Sequence, residues 1–232
     1  MTDLAKKTIL MVITSHDKLG ITLEKTGFWV EEFAAPYYVF KKAGFNIILA
    51  SPSGGQPPID PKSELADFQT EHTRKFNKDE KAKVKLANTI KLSDIDFDQV
   101  DAIFYPGGHG PLWDLVDNQD SISLIESSIK YKQPIAAVCH ASAVLLNAKN
   151  QQGESVVKGK MVTGFSNSEE EAVELSLVVP FLLEDALQAK GGIYQKGDDW
   201  ASFVIEDGLI ITGQNPASSV AAAEKLVSRL NA

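Results

Sequence analysis

The chain has 232 residues, of which 44% are hydrophobic and 23% are charged, an ordinary balance for a globular protein. Its formal net charge of −8 argues against nucleic acid and anionic membrane as partners, because phosphate binding needs a basic surface. A single cysteine excludes an internal disulfide, and no apolar run approaches the roughly 20 residues that span a bilayer. Residues 1–7 lead into an apolar segment without a signal-peptide pattern, so we expect a cytoplasmic protein.

Strand-like and helix-like segments alternate at the start of the chain. Residues 8–14 form a continuous apolar and β-branched run, typical of a buried parallel strand, and residues 45–50 form a second. Between them, a polar loop at residues 15–27 precedes a helix predicted over residues 28–43, which Pro36 is expected to kink. This β-α-β order calls for a right-handed crossover.

Residues 51–96 differ in character from the rest. They open with turn-forming Ser, Pro and Gly, and residues 68–88 are charged and helix-permissive but only weakly amphipathic. Because this segment has too few apolar residues for a core of its own, we predict an excursion at the sheet edge. The whole chain, residues 1–232, is then expected to form a single domain.

The alternating pattern resumes after this excursion. Further strands are predicted at residues 100–105, at the start of the stretch 133–146 and at residues 161–165, and helices at residues 121–131, 169–175, 181–189 and 217–230. Asp207-Gly208, between apolar runs at 203–206 and 209–212, is a hairpin signal. Together these segments predict an α/β fold of the flavodoxin-like, doubly wound type, with a mostly parallel sheet and helices on both faces.

The only cysteine, Cys139, lies where an apolar strand-like run meets a predicted helix. Such a turn lifts a side chain out of the sheet, and the helix N-terminus favours a thiolate and can hold an oxyanion. The small residues Ala137 and Ala141 flank it, as a crowded turn requires. Free cysteine also packs as an inert small hydrophobe. The junction and the adjacent His140 favour a nucleophile.

Three further clusters are candidates for the same site. The loop 107–110 (Gly-Gly-His-Gly) lacks the Walker lysine and the dinucleotide spacing, so it is predicted to be either an oxyanion loop or a plain tight turn. Of Glu31 and Glu32, one is expected to face solvent and the other Cys139, although two solvated glutamates are the alternative. The run 169–171 (Glu-Glu-Glu) either orients His140 or complements a helix dipole.

Residues 105–110 (Tyr-Pro-Gly-Gly-His-Gly) and 136–140 (Ala-Ala-Val-Cys-His) together resemble the ThiJ/PfpI superfamily, also called the class I glutamine amidotransferase-like group. Further matches are residues 25–27 with Glu32 and Pro36, residues 160–165 and residues 212–218. The resemblance covers nearly the whole chain. It is to the branch that contains glyoxalase III enzymes and heat-inducible chaperones.

The resemblance implies a role for each matching residue. Cys139 corresponds to the nucleophile, His140 to the acid–base histidine and Glu32 to the buried glutamate beside the thiol. Glu170 best matches the acidic third member, with its neighbours Glu169 and Glu171 left open. The substrate and oxyanion loop corresponds to Gly107, Gly108 and His109, and the oxyanion N–H groups to those of Gly108 and His140.

The function that the resemblance implies is a glyoxalase, a lyase that converts methylglyoxal and water to lactate without glutathione or another cofactor. The implied partners are a small dicarbonyl substrate and a second copy of the chain in a homodimer. The large zinc-binding members of the branch use extra histidines. This chain has four, at positions 16, 72, 109 and 140, without clustered spacing, so we expect no metal site.

Other functions stay open at this point. A stress chaperone that holds unfolded clients needs an exposed apolar patch, for which Trp29, Phe33 and Tyr37 are candidates, although core packing explains them equally well. The same cysteine also suits an amidase, peptidase or deglycase. Oxidation of an accessible Cys139 thiolate would suit a redox sensor.

Overall fold

A computed structural model describes residues 6–232, so residues 1–5 of the predicted leaderless N-terminus lie outside the described part. Seven strands of the described chain form the central sheet, and they are β1 Thr8–Val12, β2 Asn46–Ser51, β3 Ile90–Lys91, β4 Ala102–Tyr105, β5 Ile135–Val138, β8 Val204–Asp207 and β9 Ile210–Gly213. Their order is β3-β2-β1-β4-β5-β9-β8. Neighbouring strands are parallel except β8 and β9, which form an antiparallel hairpin. Two short strands, β6 Met161–Val162 and β7 Ile193–Tyr194, pair separately.

Helices cover both faces of this sheet. They are α1 Val30–Lys42, α2 Glu71–Lys78, α3 Glu80–Ala87, α4 Pro111–Asp114, α5 Gln119–Tyr131, α6 Asn167–Ala172, α7 Leu183–Ala189 and α8 Ser219–Asn231. On one face, α1 and α8 contribute Phe33 and Leu226 to a cluster that includes Ile9 of β1. On the other face, α5 contributes Ile125 to a cluster that includes Leu10. Because successive strand residues point to opposite faces, one apolar run supplies both cores. The predicted flavodoxin-like α/β fold is confirmed.

The segment after β5 is a 3-10 helix, Cys139–Leu145, where the sequence predicted the opening of an α-helix. Its tighter winding suits the small, fully buried residues Ala141 and Ala143. The predicted strand 161–165 also ends early, at Val162. Beyond it, the Thr163 N–H donates to the side chain of Thr212 in β9, at Oγ1 and 2.9 Å, instead of to a backbone carbonyl of a strand.

The hairpin β8–β9 forms where Asp207-Gly208 predicted it, but its turn is displaced by one residue. Asp207 pairs with Ile210, which leaves Gly208 and Leu209 as the turn residues. Gly208 has φ +67°, the left-handed conformation that glycine adopts without strain. Glycine is therefore the first residue of the turn and not the second.

The excursion at residues 51–96 contains α2, α3 and the edge strand β3. Its helices are tied to α1 through Phe76, whose ring lies 5.4 Å from that of Phe33. That location agrees with an excursion at the sheet edge, while the organisation of the chain as a single domain remains a prediction. None of the helices within residues 6–232 is long and apolar enough to cross a bilayer.

Candidate active site

The carboxyl ends of β4 and β5 lie side by side in the sheet, and the candidate residues gather at this edge. His109 follows β4, and Cys139 with His140 follows β5. Glu32 comes from the first turn of α1, and Glu170 from the first turn of α6. Open α/β sheets bind ligands at this edge, so the fold alone places the four segments where a site is expected.

Cys139 sits on a sharp turn between β5 and the 3-10 helix. Its φ is +57°, a left-handed conformation that costs a non-glycine residue on the order of 1–3 kcal/mol. Gly107 makes the crowding tolerable, since a Cβ there would collide with Glu32 Oε2 and with Cys139 Cβ. Strain of this kind at a buried cysteine is typical of a nucleophile turn and is not needed for core packing.

Cys139, His140 and Glu170 form a linear hydrogen-bonded series. Cys139 Sγ lies 3.3 Å from His140 Nδ1, and His140 Nε2 lies 2.6 Å from Glu170 Oε2. His109 Nε2 reaches the other carboxylate oxygen, Glu170 Oε1, at 2.9 Å. A carboxylate only accepts, so each imidazole donates its Nε2–H. In neutral His140 this leaves Nδ1 as an acceptor facing the thiol.

The negative charge in this series lies on the Glu170 carboxylate, and His140 is neutral. Burial lowers the pKa of His140 to about 4, assisted by His109 and opposed by Glu170. Burial alone would raise the pKa of Glu170, but His140 and the hydrogen bonds from both histidines outweigh it and hold the pKa well below its usual range. At neutral pH the site therefore contains an ionised Glu170 and a neutral His140, which is able to accept a proton.

On the opposite side of the thiol lies Glu32, which is completely buried. Burial raises its pKa well above the usual value. The neighbouring Cys139 thiol and the Gly107 N–H, which donates to Oε2 at 2.9 Å, oppose this rise. Among the described residues its Oε1 has no hydrogen-bond partner. Burial therefore favours the protonated form of Glu32, which has one free oxygen in the site.

Burial and the nearby Glu32 also raise the pKa of Cys139, while the backbone N–H groups of His140 and Gly108 oppose the rise. The backbone N–H groups at the start of the 3-10 helix thus favour a thiolate, as expected, but burial outweighs them. The resting cysteine is a thiol, since desolvation penalises its charged form more than two N–H groups stabilise it. The base that can remove its proton is His140 Nδ1, which lies 3.3 Å from Cys139 Sγ.

The neighbouring glutamates do not face solvent as a group. Glu31, expected in solvent if Glu32 faced the cysteine, is only 9% exposed and accepts a hydrogen bond from Thr70 Oγ1. Glu169 is buried as well, with its Oε1 accepting the Trp200 N–H at 2.9 Å, whereas Glu171 is exposed. The structure thus brings Glu170 alone of the three to His140. Its role stays a prediction.

A cavity of about 450 Å³ opens above Cys139. Its floor includes Glu32, Gly108, His109, Cys139 and His140, and its walls are Trp29, Phe68, Phe165, Val173, Trp200, Asn215, Pro216 and Ala217. Sequence reasoning did not assign Phe68, Phe165 or Trp200 to the site. The available signal was an aromatic residue, Phe68, in a charged excursion; its side chain is 45% exposed in the structure.

His109, His140 and Glu170 also place potential metal-ligand atoms within 4.8 Å of one another. Folding therefore brings these residues closer together than their scattered positions in the sequence indicate. In the structure their donor and acceptor atoms hydrogen-bond to each other. The expected absence of a metal remains a prediction.

Comparison with known proteins identifies the family to which this chain is similar. A model of the DJ-1/PfpI family matches residues 19–229. Glyoxalase 3 of Candida albicans is 30% identical over 229 residues, which cover 95% of this chain and 97% of that protein. A glutathione-independent glyoxalase of Schizosaccharomyces pombe is 32% identical over 222 residues, covering 89% of this chain and 90% of that protein.

Solved structures agree with the sequence matches. The crystal structure of glyoxalase III from Candida albicans superposes with a TM-score of 0.88 at 29% identity and covers 96% of each chain. The rapid encystment protein of 24 kDa from Francisella tularensis superposes with a TM-score of 0.92 at 40% identity, covering 97% of this chain and 99% of its own.

Proposed function

Because the chain belongs to the DJ-1/PfpI family, we propose that it is a glutathione-independent glyoxalase of the glyoxalase III type, which converts methylglyoxal and water to lactate. One observation in the chain carries the proposal. Cys139 lies at the floor of the cavity with a neutral imidazole nitrogen 3.3 Å from its sulfur and an ionised carboxylate behind that imidazole. Such an arrangement activates a thiol for attack on a carbonyl carbon.

The first step is addition of the thiol to the aldehyde. His140 Nδ1 takes the thiol proton as Cys139 Sγ bonds to the aldehyde carbon, which gives a hemithioacetal. The oxygen that becomes negative is stabilised by the N–H groups of Gly108 and His140, the donors that already face the sulfur. Glu170 stabilises the imidazolium and keeps its Nδ1 directed at the sulfur.

The second step moves a proton between the two substrate carbons. His140 first returns the thiol proton to the substrate oxygen and is neutral again. Neutral His140, or Glu32 once it has given its own proton to the ketone oxygen, then takes the proton of the former aldehyde carbon, and the neighbouring carbonyl carbon gains one through an enediol. The product is a lactoyl thioester, because the first carbon has been oxidised and the second reduced. Water then cleaves the thioester to lactate and frees Cys139. The electrons balance within the substrate, so the reaction consumes only water.

The test is incubation with methylglyoxal in the absence of glutathione, followed by lactate detection. We expect Cys139→Ala to lower turnover at least about a thousandfold, as loss of a nucleophile does in other covalent catalysts. Ser142→Ala is the matched control, since Ser142 is a buried residue of the same 3-10 helix that the mechanism does not use. Wild-type lactate production by Cys139→Ala would refute the covalent mechanism.

The chaperone alternative gains no support from the residues that the sequence offered for it. Phe33 and Tyr37 are buried, so they do not form the exposed apolar patch that a chaperone needs. Trp29 lines the cavity instead. The homodimer and the cytoplasmic location remain predictions, and the sedimentation coefficient of the purified protein tests the first of them.

A further inference from the structure

The cavity above Cys139 is larger than methylglyoxal requires. Its volume of about 450 Å³ falls in the range of roughly 300–1,000 Å³ that holds drug-sized ligands, whereas methylglyoxal has only a methyl group beyond its two carbonyls. The reacting groups occupy the floor of the cavity. The remaining volume lies between side chains that the reaction with methylglyoxal does not need.

Two aromatic pairs enclose that volume. Trp29 and Phe68 meet edge to face with ring centroids 5.0 Å apart, and Phe165 and Trp200 do the same at 5.8 Å. The polar wall residue, Asn215, already donates its amide to Glu169 Oε1 and to the Ala201 carbonyl, each at 2.8 Å. Beyond the reacting groups, the walls thus present aromatic and aliphatic surface and no charged side chain.

Trp200 is held in place although it is a surface residue. Its side chain is about half exposed, and its backbone has φ +64°, which non-glycine residues rarely adopt. Its N–H donates to the buried carboxylate of Glu169, and the same oxygen accepts the Asn215 amide. A buried network thus fixes an exposed indole at the cavity wall, where core packing gains little from it.

We propose that the preferred substrates are 2-oxoaldehydes that carry a flat apolar substituent, an aryl group above all. This inference rests on the proposed function and names its substrate class. The aldehyde carbon bonds to Cys139 Sγ, and the substituent lies between the two aromatic pairs, in the offset or edge-to-face contacts that aromatic rings favour. A charged substituent would lose its hydration against these walls without gaining a partner.

The chemistry for an aryl substrate is the same and balances in the same way. With phenylglyoxal, the sulfur adds to the aldehyde carbon, a proton moves to the carbon that bears the ring, and water cleaves the thioester. Phenylglyoxal and water give mandelate, with the aldehyde carbon oxidised and the ketone carbon reduced. The reaction uses no reagent beyond the water already required.

The experiment compares kcat/KM for phenylglyoxal and for methylglyoxal, with mandelate and lactate as the measured products. We expect the wild type to prefer phenylglyoxal by about tenfold, since burial of a ring and its aromatic contacts are worth that factor or more. Trp200→Ala should lower the ratio of the two kcat/KM values by about tenfold, and Trp200→Phe by a smaller factor.

Trp113→Phe is the matched control, because Trp113 stacks on His16 away from the cavity lining. It should leave the ratio unchanged. Phenylglyoxal also condenses with arginine, but the sequence contains only Arg74 and Arg229, and neither lines the cavity. Because condensation with arginine gives no mandelate, measuring mandelate records only enzymatic turnover.

The outcomes separate the two proposals. Turnover of methylglyoxal with a ratio below one, or a ratio that Trp200→Ala leaves unchanged, overturns the aryl preference and keeps the glyoxalase. Absence of lactate and mandelate from the wild type overturns the glyoxalase itself.

Discussion

Two regions of the molecule each carry a pair of adjacent glutamates, one of which reaches the catalytic site, and the two that do so differ in their preferred charge. In the first turn of α1, Glu31 turns toward Thr70 and Glu32 toward Cys139. In the first turn of α6, Glu169 turns toward Trp200 and Glu170 toward the two histidines. The residue that reaches the site is the second of each pair. Burial raises the pKa of Glu32 there and favours its protonated form, whereas the pKa of Glu170 is lowered despite burial and favours its ionised form.

Burial does not explain this difference, because both carboxyls are buried. The donors around them do. Glu170 accepts hydrogen bonds from two imidazole rings, at 2.6 and 2.9 Å, and these outweigh the desolvation of its charge. Glu32 accepts a hydrogen bond from one backbone N–H and contacts a thiol, and these two interactions do not outweigh the desolvation of its charge. The number and kind of donors thus assign an acid to one side of the cysteine and an anion to the other.

The largest effect is expected for Glu170→Gln, which removes the anion and keeps the shape. A glutamine can donate its amide to His140 Nε2, which would move the imidazole proton to Nδ1 and leave no acceptor for the thiol proton. We expect kcat for methylglyoxal to fall roughly 10³-fold or more, as the wrong imidazole tautomer does in a catalytic triad. Alkylation of Cys139 by iodoacetamide should slow as well, because it depends on deprotonation of the thiol.

Glu171→Gln is the matched control for this variant. Glu171 lies on the same helix and is exposed, so both rates should stay at the wild-type value. If Glu170→Gln kept kcat within tenfold of the wild type, the carboxylate would not be needed to orient His140. The difference in charge between Glu32 and Glu170 would then have no role in catalysis.

A smaller effect is expected for Glu32→Gln. The amide retains an oxygen for the Gly107 N–H but can no longer transfer a proton, so kcat should fall by about 10²-fold, the lower end of what general acid–base groups contribute. Alkylation of Cys139 should continue near the wild-type rate, since His140 still accepts the thiol proton. Equal slowing of turnover and alkylation would contradict a role in proton transfer after the addition step.

The sequence predicted the strand–helix alternation and the turn at the cysteine, because these depend on local patterns such as the apolar run before Cys139. The resemblance favoured Glu170, but the residue pattern alone did not separate it from Glu169, since which of two adjacent side chains reaches His140 depends on tertiary contacts such as those that hold Glu169 to Trp200 and Asn215. Nor could it find the wall residue Trp200, whose N–H bonds to Glu169, 31 residues away in the chain, a carboxylate that Asn215 holds in turn. The shifted pKa of Cys139 likewise comes from burial beneath several elements.

The smallest effect concerns stability and its dependence on pH. Glu32 has a folded-state pKa well above 4.5, so the folded protein holds a proton that the unfolded chain releases. Stability from this group is complete below about pH 4.5 and is lost as the pH rises toward the folded-state pKa. Glutamine does not titrate, so Glu32→Gln should gain stability over the wild type as the pH rises. Each pH unit between the two pKa values is worth about 1.4 kcal/mol.

Urea unfolding at several pH values between about 4 and 8 measures this difference, and Glu31→Gln supplies the graded comparison. Burial also raises the pKa of Glu31, but Thr70 and His72 oppose the rise, so its variant should gain less with pH than Glu32→Gln. Equal gains would mean that the N-terminus of α1 as a whole disfavours charge, whatever each side chain contacts. A larger gain in stability for Glu32→Gln would instead show that the cost of ionisation belongs to the Glu32 carboxyl beside Cys139. That result is expected because only one N–H group, that of Gly107, donates to this carboxyl.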